Sequence, residues 1–147
     1  MTNEAVFAEL LGVSRPTPGT VPSSEIVRRV KEGLPVQALD RVAAAVAPHD
    51  REFRFGVVKK TTLGRRKSET SGYGRLSEME GAKVVRLARV WTLACEVWKS
   101  DAAARDFLNR PHPLLEGRHP IDVVMESEFG GPQVEAVLGR LQYGSAA

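Results

Sequence analysis

A run of apolar residues at helical spacing over residues 77–98 constrains the fold of this chain more than any other feature. Ser77 and Glu80 have the Ser-x-x-Glu spacing of a capping box, in which each side chain accepts a hydrogen bond from the other residue's backbone N–H at the start of a helix. The apolar residues that follow lie three or four positions apart: Val84, Leu87, Ala88, Trp91, Ala94, Cys95 and Trp98. This spacing predicts a helix of about 22 residues, roughly 33 Å long, with one wide buried face that carries both tryptophans. An exposed tryptophan edge that serves dimerisation is the alternative.

The segment before this helix predicts several shorter helices, which we expect at about residues 5–13, 24–32, 35–47, 50–55 and 60–67. Ser23 or Ser24 can cap the second of them and Gly33 can end it, while Pro35 suits the first turn of the third. The prolines of Arg15–Pro22 predict an extended tether, and residues 69–76 read as a loop.

The segment after the long helix predicts three more helices. Ser100 can cap the first, over Asp101–Leu108, and the prolines and histidines of Pro111–Pro120 then form a loop. Pro120 opens the next helix, which Gly130-Gly131 should break before Pro132 starts the last one. Because no stretch alternates for long between apolar and polar residues, the fold class predicted is all-α.

Positive charge is concentrated in one part of the chain. Residues 51–75 carry 8 Lys and Arg against 2 Asp and Glu, whereas residues 76–147 have a net charge of −2. Such a patch is typical of a surface that binds a polyanion, although a solvated basic loop would have the same composition.

Other functional classes find little support in the composition. A single Cys cannot form an internal disulfide, and His49, His112 and His119 lack the spacing of a metal site or a catalytic constellation. No apolar run approaches the roughly 20 residues needed to cross a bilayer, and the N-terminus does not resemble a signal peptide. We therefore expect a cytoplasmic protein with no cofactor, metal or membrane partner. A small enzyme that uses the Pro111–Pro120 loop is a further alternative, and the family resemblance described below implies a protein that is not an enzyme.

The basic helix could serve as the second helix of a helix-turn-helix. Leu63 would anchor it to the core while cationic side chains reach the phosphates on either side of a DNA groove. The candidate DNA contacts are Lys59, Lys60, Thr61, Thr62, Arg65, Arg66 and Lys67. A basic surface turn without this role remains the alternative at this point.

Several motifs together resemble the Xre/MbcA/ParS family of bacterial antitoxins. In chain order they are Thr62-Leu63-Gly64-Arg65-Arg66-Lys67, Leu76-Ser77-x-x-Glu80, Arg86-Leu87-Ala88-Arg89-Val90, the Pro111–Asp122 segment, and Val134-Glu135-x-Val137-Leu138-Gly139-Arg140-Leu141-x-Tyr143-Gly144. The resemblance covers about residues 24–147. It implies the antitoxin of a type II toxin–antitoxin pair, whose toxin is a RES-type enzyme that consumes NAD.

The resemblance also implies a domain plan and a mechanism. Residues 1–22 lie outside the resemblance and are expected to be a flexible segment. Residues 23–76 would be an Xre-like helix-turn-helix lobe, and residues 77–147 the long connecting helix with a small toxin-binding lobe. The first lobe would bind operator DNA as a homodimer and repress the chain's own operon, while the second would cover the NAD-binding cleft of the toxin. The alternative is a stand-alone dimeric helix-turn-helix regulator with no toxin partner.

The toxin contacts implied by the resemblance lie near the C-terminus. They are Arg118, Glu135, Arg140, Tyr143, Gly144, Ser145, Ala146 and Ala147. Residues 144–147 form a tail of small residues that can enter a narrow cleft. Because a cleft for dinucleotide phosphates should be cationic, Glu126, Glu128 and Glu135 could complement its rim. Two alternatives stay open: Tyr143 could pack on a neighbouring helix, and Arg118 could simply pair with Asp122.

Overall fold

The chain is all-helical in the computed structural model, which describes residues 3–13, 21–68 and 74–144. The α-helices are α1 (Asn3–Leu11), α2 (Ser23–Glu32), α3 (Val36–Val46), α4 (Lys60–Lys67), α5 (Glu78–Trp98), α6 (Asp101–Leu108), α7 (Pro120–Glu126) and α8 (Gly130–Gln142). Two 3₁₀ helices, Phe53–Gly56 and Pro113–Leu115, lie among them. The described residues contain no strand, only isolated bridges from Pro35 to Arg75 and from His112 to Arg118, so the all-α prediction is confirmed.

The chain divides into two compact units, Met1–Val85 and Arg86–Ala147. The boundary falls inside α5 and differs from the one expected between residues 76 and 77. The physical reason is that the first turns of α5 belong to the core of the first unit, where Gly81 faces the side chains of Val30 and Leu34.

Helix α3 forms the centre of the first unit. Ala38, Leu39, Val42 and Val46 are fully buried on it, as their helical spacing predicts. Helix α1 packs against α3, and its Phe7 and Leu11 side chains are 0% and 1% exposed.

The structure differs here from the flexible segment expected for residues 1–22. Burial of the α1 side chains gives residues 3–13 a fixed place in the core, and the Arg41 guanidinium adds a hydrogen bond to the Leu10 carbonyl oxygen at 3.0 Å. Residues 14–20, which make up most of the expected tether, lie outside the described residues.

The starts of α2 and α3 correct the expected caps. Pro22 and Pro35 occupy the N-cap positions in extended conformation, and neither supplies a side-chain hydrogen bond. Ser23 is instead the first residue of α2, because the fixed φ of the preceding proline already sets the entry of the chain. Gly33 ends α2 as predicted, with a φ of 98°.

The predicted capping box at the start of α5 is confirmed. The Ser77 backbone N–H donates to Glu80 Oε1 at 2.7 Å, and the Glu80 N–H donates to Ser77 Oγ at 3.2 Å. The Glu80 carboxylate also accepts a hydrogen bond from the Arg66 guanidinium, and both side chains are less than a fifth exposed. One carboxylate therefore caps α5 and holds the end of α4.

The second unit is built from the later turns of α5 together with α6, α7 and α8. Its core contains Trp91, Leu108, Val124, Val134 and Leu138, all at most 4% exposed. The predicted Ser100 cap of α6 is confirmed by a 3.1 Å hydrogen bond from the Ala103 N–H to Ser100 Oγ.

The prediction that Gly130-Gly131 breaks a helix before Pro132 is wrong. Helix α7 already ends at Glu126, and the two glycines are the first residues of α8. A side chain is absent at Gly130 for a packing reason, because a Cβ there would overlap the carbonyl oxygen of Val123. The glycines thus allow α8 to start against the backbone of α7.

We expect Gly130→Ala to destabilise the protein by about 1–3 kcal/mol, because the new methyl group must push α8 away from α7. Gly139→Ala in the same helix is the matched control, since its Cβ meets nothing within 4 Å. That change should stabilise by about 0.5–1 kcal/mol through helix propensity. Urea unfolding of both variants measures the two changes, and equal stabilities would contradict the close approach.

The contribution of Glu80 to stability should depend on pH. Burial raises the pKa of Glu80, but hydrogen bonds from Arg66 and Ser77 together outweigh burial and hold the pKa below its usual value. A carboxyl with a lowered folded-state pKa stabilises the fold above its unfolded-state pKa, and this stabilisation is lost as pH falls through the folded-state pKa.

Glu80→Gln keeps an acceptor for the cap but removes the charge. We expect this variant to lose stability at pH 7 and to show a shallower decline in unfolding free energy toward acid pH. Glu78→Gln, one residue from the cap, is the control and should keep the wild-type pH profile. The idea fails if Glu80→Gln and the wild type lose stability in parallel between neutral and acid pH.

Candidate functional site

The predicted basic helix is present as α4, with the bounds expected from the sequence. Leu63 is 3% exposed and anchors the helix in the first unit. Of the seven candidate DNA contacts, five are exposed and two, Thr62 and Arg66, are partly buried; the exposed ones are Lys59, Lys60, Thr61, Arg65 and Lys67. Helix α4 therefore presents a polar and cationic outer face.

The segment before α4 differs from the expected helix over residues 50–55. The chain there forms a 3₁₀ helix over Phe53–Gly56, after which Val57 and Val58 are buried. The Phe55 ring lies 5.9 Å from the Arg54 guanidinium and 5.8 Å from the Lys60 ammonium group. Lys60 is the first residue of α4, so its ammonium group lies at the N-terminal end of the helix, where the helix dipole also favours an anion.

Several cations of this segment are already paired with carboxylates. Arg66 binds Glu80, while Asp40 on α3 binds Arg54 at 2.8 Å and Lys67 at 3.1 Å. Arg65 stays exposed and takes part in none of these ion pairs. The structure thus separates the predicted contacts into a paired set that fixes α4 and a solvent-facing set formed by Lys59, Lys60, Thr61 and Arg65.

The predicted toxin contact Arg118 lies on the second unit and is about half exposed. Its guanidinium pairs with the Glu126 carboxylate at the end of α7. Asp122, the partner that the simpler interpretation gave to Arg118, instead lies 3.7 Å from His119 Nδ1.

The three acidic residues expected to complement a cationic cleft face cations of this chain. Glu126 pairs with Arg118, and the charge of Glu128 acts on the half-buried Arg86. Glu135 is half-buried on α8, and burial raises its pKa although nearby Arg89 lowers it. Glu126 and Glu128 are exposed, whereas Glu135 is only partly exposed.

The end of α8 is the most exposed part of the predicted toxin site. Arg140 and Leu141 are exposed on the last turn, and Tyr143 follows it with 83% of its surface accessible. Such exposure does not fit the alternative in which the Tyr143 ring packs on a neighbouring helix. Gly144 has a φ of 67°, and Ser145, Ala146 and Ala147 lie outside the described residues.

A cleft in the second unit was not anticipated from the sequence. It has a volume of about 250 Å³, and its lining includes Trp98, Ala103, Phe107, His112 and Leu141. Its only signal in the sequence was Trp98, which the helical spacing placed in the core. That placement is wrong, because Trp98 is 41% exposed whereas Trp91, seven positions earlier, is 4% exposed. Trp98 is the last residue of α5, and its ring is only partly covered.

Cys95, also expected in the core, is only partly buried. Burial and the neighbouring Asp101 carboxylate, which accepts a hydrogen bond from the thiol at 3.5 Å, raise the pKa of Cys95 to about 12. A thiol with so high a pKa is protonated at neutral pH and is a poor nucleophile.

Within the described part of the chain, no three His, Cys, Asp or Glu side chains come together as they would in a metal site. None of the described helices combines the length and apolar character needed to cross a membrane.

Most of the second unit matches a known protein family. No curated protein is similar to the chain, but residues 93–144 match the family model of the antitoxin Xre/MbcA/ParS C-terminal toxin-binding domain. The matched segment runs from the last turns of α5 to the residue after Tyr143, and so includes the cleft and the exposed end of α8. The resemblance seen in the sequence is thereby confirmed for this segment, and residues 93–144 are similar to the C-terminal toxin-binding domain of Xre/MbcA/ParS antitoxins.

Proposed function

We propose that the chain is the antitoxin of a type II toxin–antitoxin pair and that its partner is a RES-type enzyme that degrades NAD. The observation that carries the proposal is the match of residues 93–144 to a toxin-binding domain. The family supports a regulatory protein that acts by binding in the cytoplasm and needs no cofactor of its own.

Inhibition is proposed to be steric. Arg140 and Tyr143 project from the last turn of α8 and the residue after it, and the tail from Gly144 to Ala147 is made of small residues. A tyrosine side chain offers a rigid apolar ring and one polar tip, which suits insertion into a cleft built for a dinucleotide. In this mechanism the tail occupies the NAD-binding cleft of the toxin, and Arg118 and Glu135 lie at the edge of the interface.

Truncation after Gln142 tests this mechanism, because it removes Tyr143 and the tail but leaves α8 whole. We expect the truncated chain to lose about tenfold or more of its potency as an inhibitor of NAD hydrolysis by the toxin, with unchanged thermal stability. Operator DNA binding should be unaffected. If the truncated and full-length chains inhibit equally, the tail does not block the cleft.

The first unit is proposed to bind operator DNA and so to repress the chain's own operon. Support comes from the excess positive charge of residues 51–75 and from the outward position of Lys60, Thr61 and Arg65 on α4. Because one short helix reads few bases, binding as a homodimer to two half-sites is the arrangement proposed. Arg66 and Lys67 already pair with Glu80 and Asp40, so they would fix α4 rather than bind phosphate.

Lys60→Ala and Arg65→Ala should each reduce the slope of log affinity against log salt concentration by about one unit if their side chains contact phosphate. Lys99→Gln in the second unit is a charge-matched control and should leave the slope unchanged. Fluorescence anisotropy with the promoter fragment at several salt concentrations measures these slopes. Equal slopes for the wild type and both α4 variants would show that α4 does not face the DNA backbone.

A further inference from the structure

We propose that the cleft at the end of α8 is a socket for one apolar side chain of the toxin. The proposal rests on the antitoxin function above and names the surface that anchors the partner. The cleft is lined by Trp98 at the end of α5, by Ala103 and Phe107 on α6, by His112 after α6, and by Leu141 on α8. All of these residues belong to the second unit.

The walls of the cleft are fixed before any partner arrives. The Phe107 ring lies 6.0 Å from the Trp98 ring and 5.7 Å, edge to face, from the His112 ring. His112 is held by its own Nδ1, which accepts a hydrogen bond from the Leu114 N–H at 3.1 Å, and by two backbone hydrogen bonds with Gly117 and Arg118. A preformed socket costs little conformational entropy on binding.

The size and polarity of the cleft favour an apolar side chain over a small molecule. Its volume of about 250 Å³ lies below the roughly 300–1,000 Å³ of typical small-molecule pockets. Asp106 and Arg110, the charged residues in the lining, pair with each other at 2.8 Å and so require no partner charge. Trp98 and Leu141 leave 41% and 40% of their surfaces exposed, which a buried aliphatic or aromatic side chain would cover.

The cleft lies within the segment that matches a toxin-binding domain, which indicates the toxin as its partner. The lining residues lie within residues 93–144, the segment that matches that domain. Leu141 also stands two positions before Tyr143, so the proposed tail leaves from the edge of the cleft. A toxin side chain held against Leu141 would fix the position from which Tyr143 enters the toxin. The toxin would then insert an apolar side chain into the cleft of this chain, and this chain would insert Tyr143 into the toxin.

Filling the cleft from within tests the proposal. Ala103→Leu adds apolar volume inside the cleft and preserves the Ser100 cap, which uses the Ala103 backbone N–H. Ala102→Leu is the matched control, because Ala102 is exposed on the same turn of α6 and does not line the cleft. Leucine has nearly the helix propensity of alanine, so neither change should unfold α6.

We expect Ala103→Leu to weaken binding to a purified, catalytically inactive RES-type toxin by about tenfold or more, and Ala102→Leu to leave it within about twofold. Calorimetry measures both affinities, and light scattering follows self-association. If wild type binds the toxin and both variants bind equally well, the socket is overturned while the antitoxin function stands. If Ala103→Leu instead changes only self-association, a second copy of this chain is the occupant and the proposal fails. If wild type does not bind the toxin, the proposed function itself fails.

Tryptophan labelling gives a second, independent readout. The chain contains two tryptophans, so incorporation of 5-fluorotryptophan gives two fluorine signals that Trp98→Phe assigns. Addition of the unlabelled toxin should shift the Trp98 signal and leave that of buried Trp91 nearly unchanged. An unmoved Trp98 signal at saturation would overturn the proposal without reference to any change in affinity.

Discussion

The Glu80 carboxylate makes two sets of contacts on which the first unit depends. With Ser77 it satisfies backbone N–H groups that would otherwise be left without partners at the start of α5, and with Arg66 it fixes the C-terminal end of α4. Asp40 holds the same end of α4 through Lys67. Without these carboxylates a short helix of mostly polar residues, anchored in the core by Leu63, would have little to keep it in place.

This use of charge changes how the basic segment is interpreted. From composition alone, every Lys and Arg of residues 51–75 is an equally good candidate for a phosphate contact. In the structure, Arg54, Arg66 and Lys67 pair with two carboxylates of the same unit, while Lys60 and Arg65 stay exposed to solvent. The acidic residues of the second unit also interact with charges of the same chain, since Glu126 pairs with Arg118 and Glu135 lies near Arg89.

Patterns within one helix were sufficient to predict most of the elements. The capping box at Ser77, the Ser100 cap and the bounds of α4 follow from neighbouring residues alone, as does the spacing that buries Trp91. The start of α8 at Gly130 could not be predicted this way, because its cause is the backbone of Val123 in another helix. The exposure of Trp98 and the cleft beside it likewise depend on where α6 and α8 pack, which periodicity along α5 does not encode.

The protonated state of Cys95 has a practical consequence for labelling. Its partial burial and its contact with Asp101 keep the thiol from ionising near neutral pH, so maleimide reagents, which attack the thiolate, should react with it slowly. A second cysteine placed in the exposed position of Tyr143, as Tyr143→Cys, would be labelled first. The Tyr143→Cys variant thus accepts a site-specific dye at the end of α8 without replacement of the native Cys95.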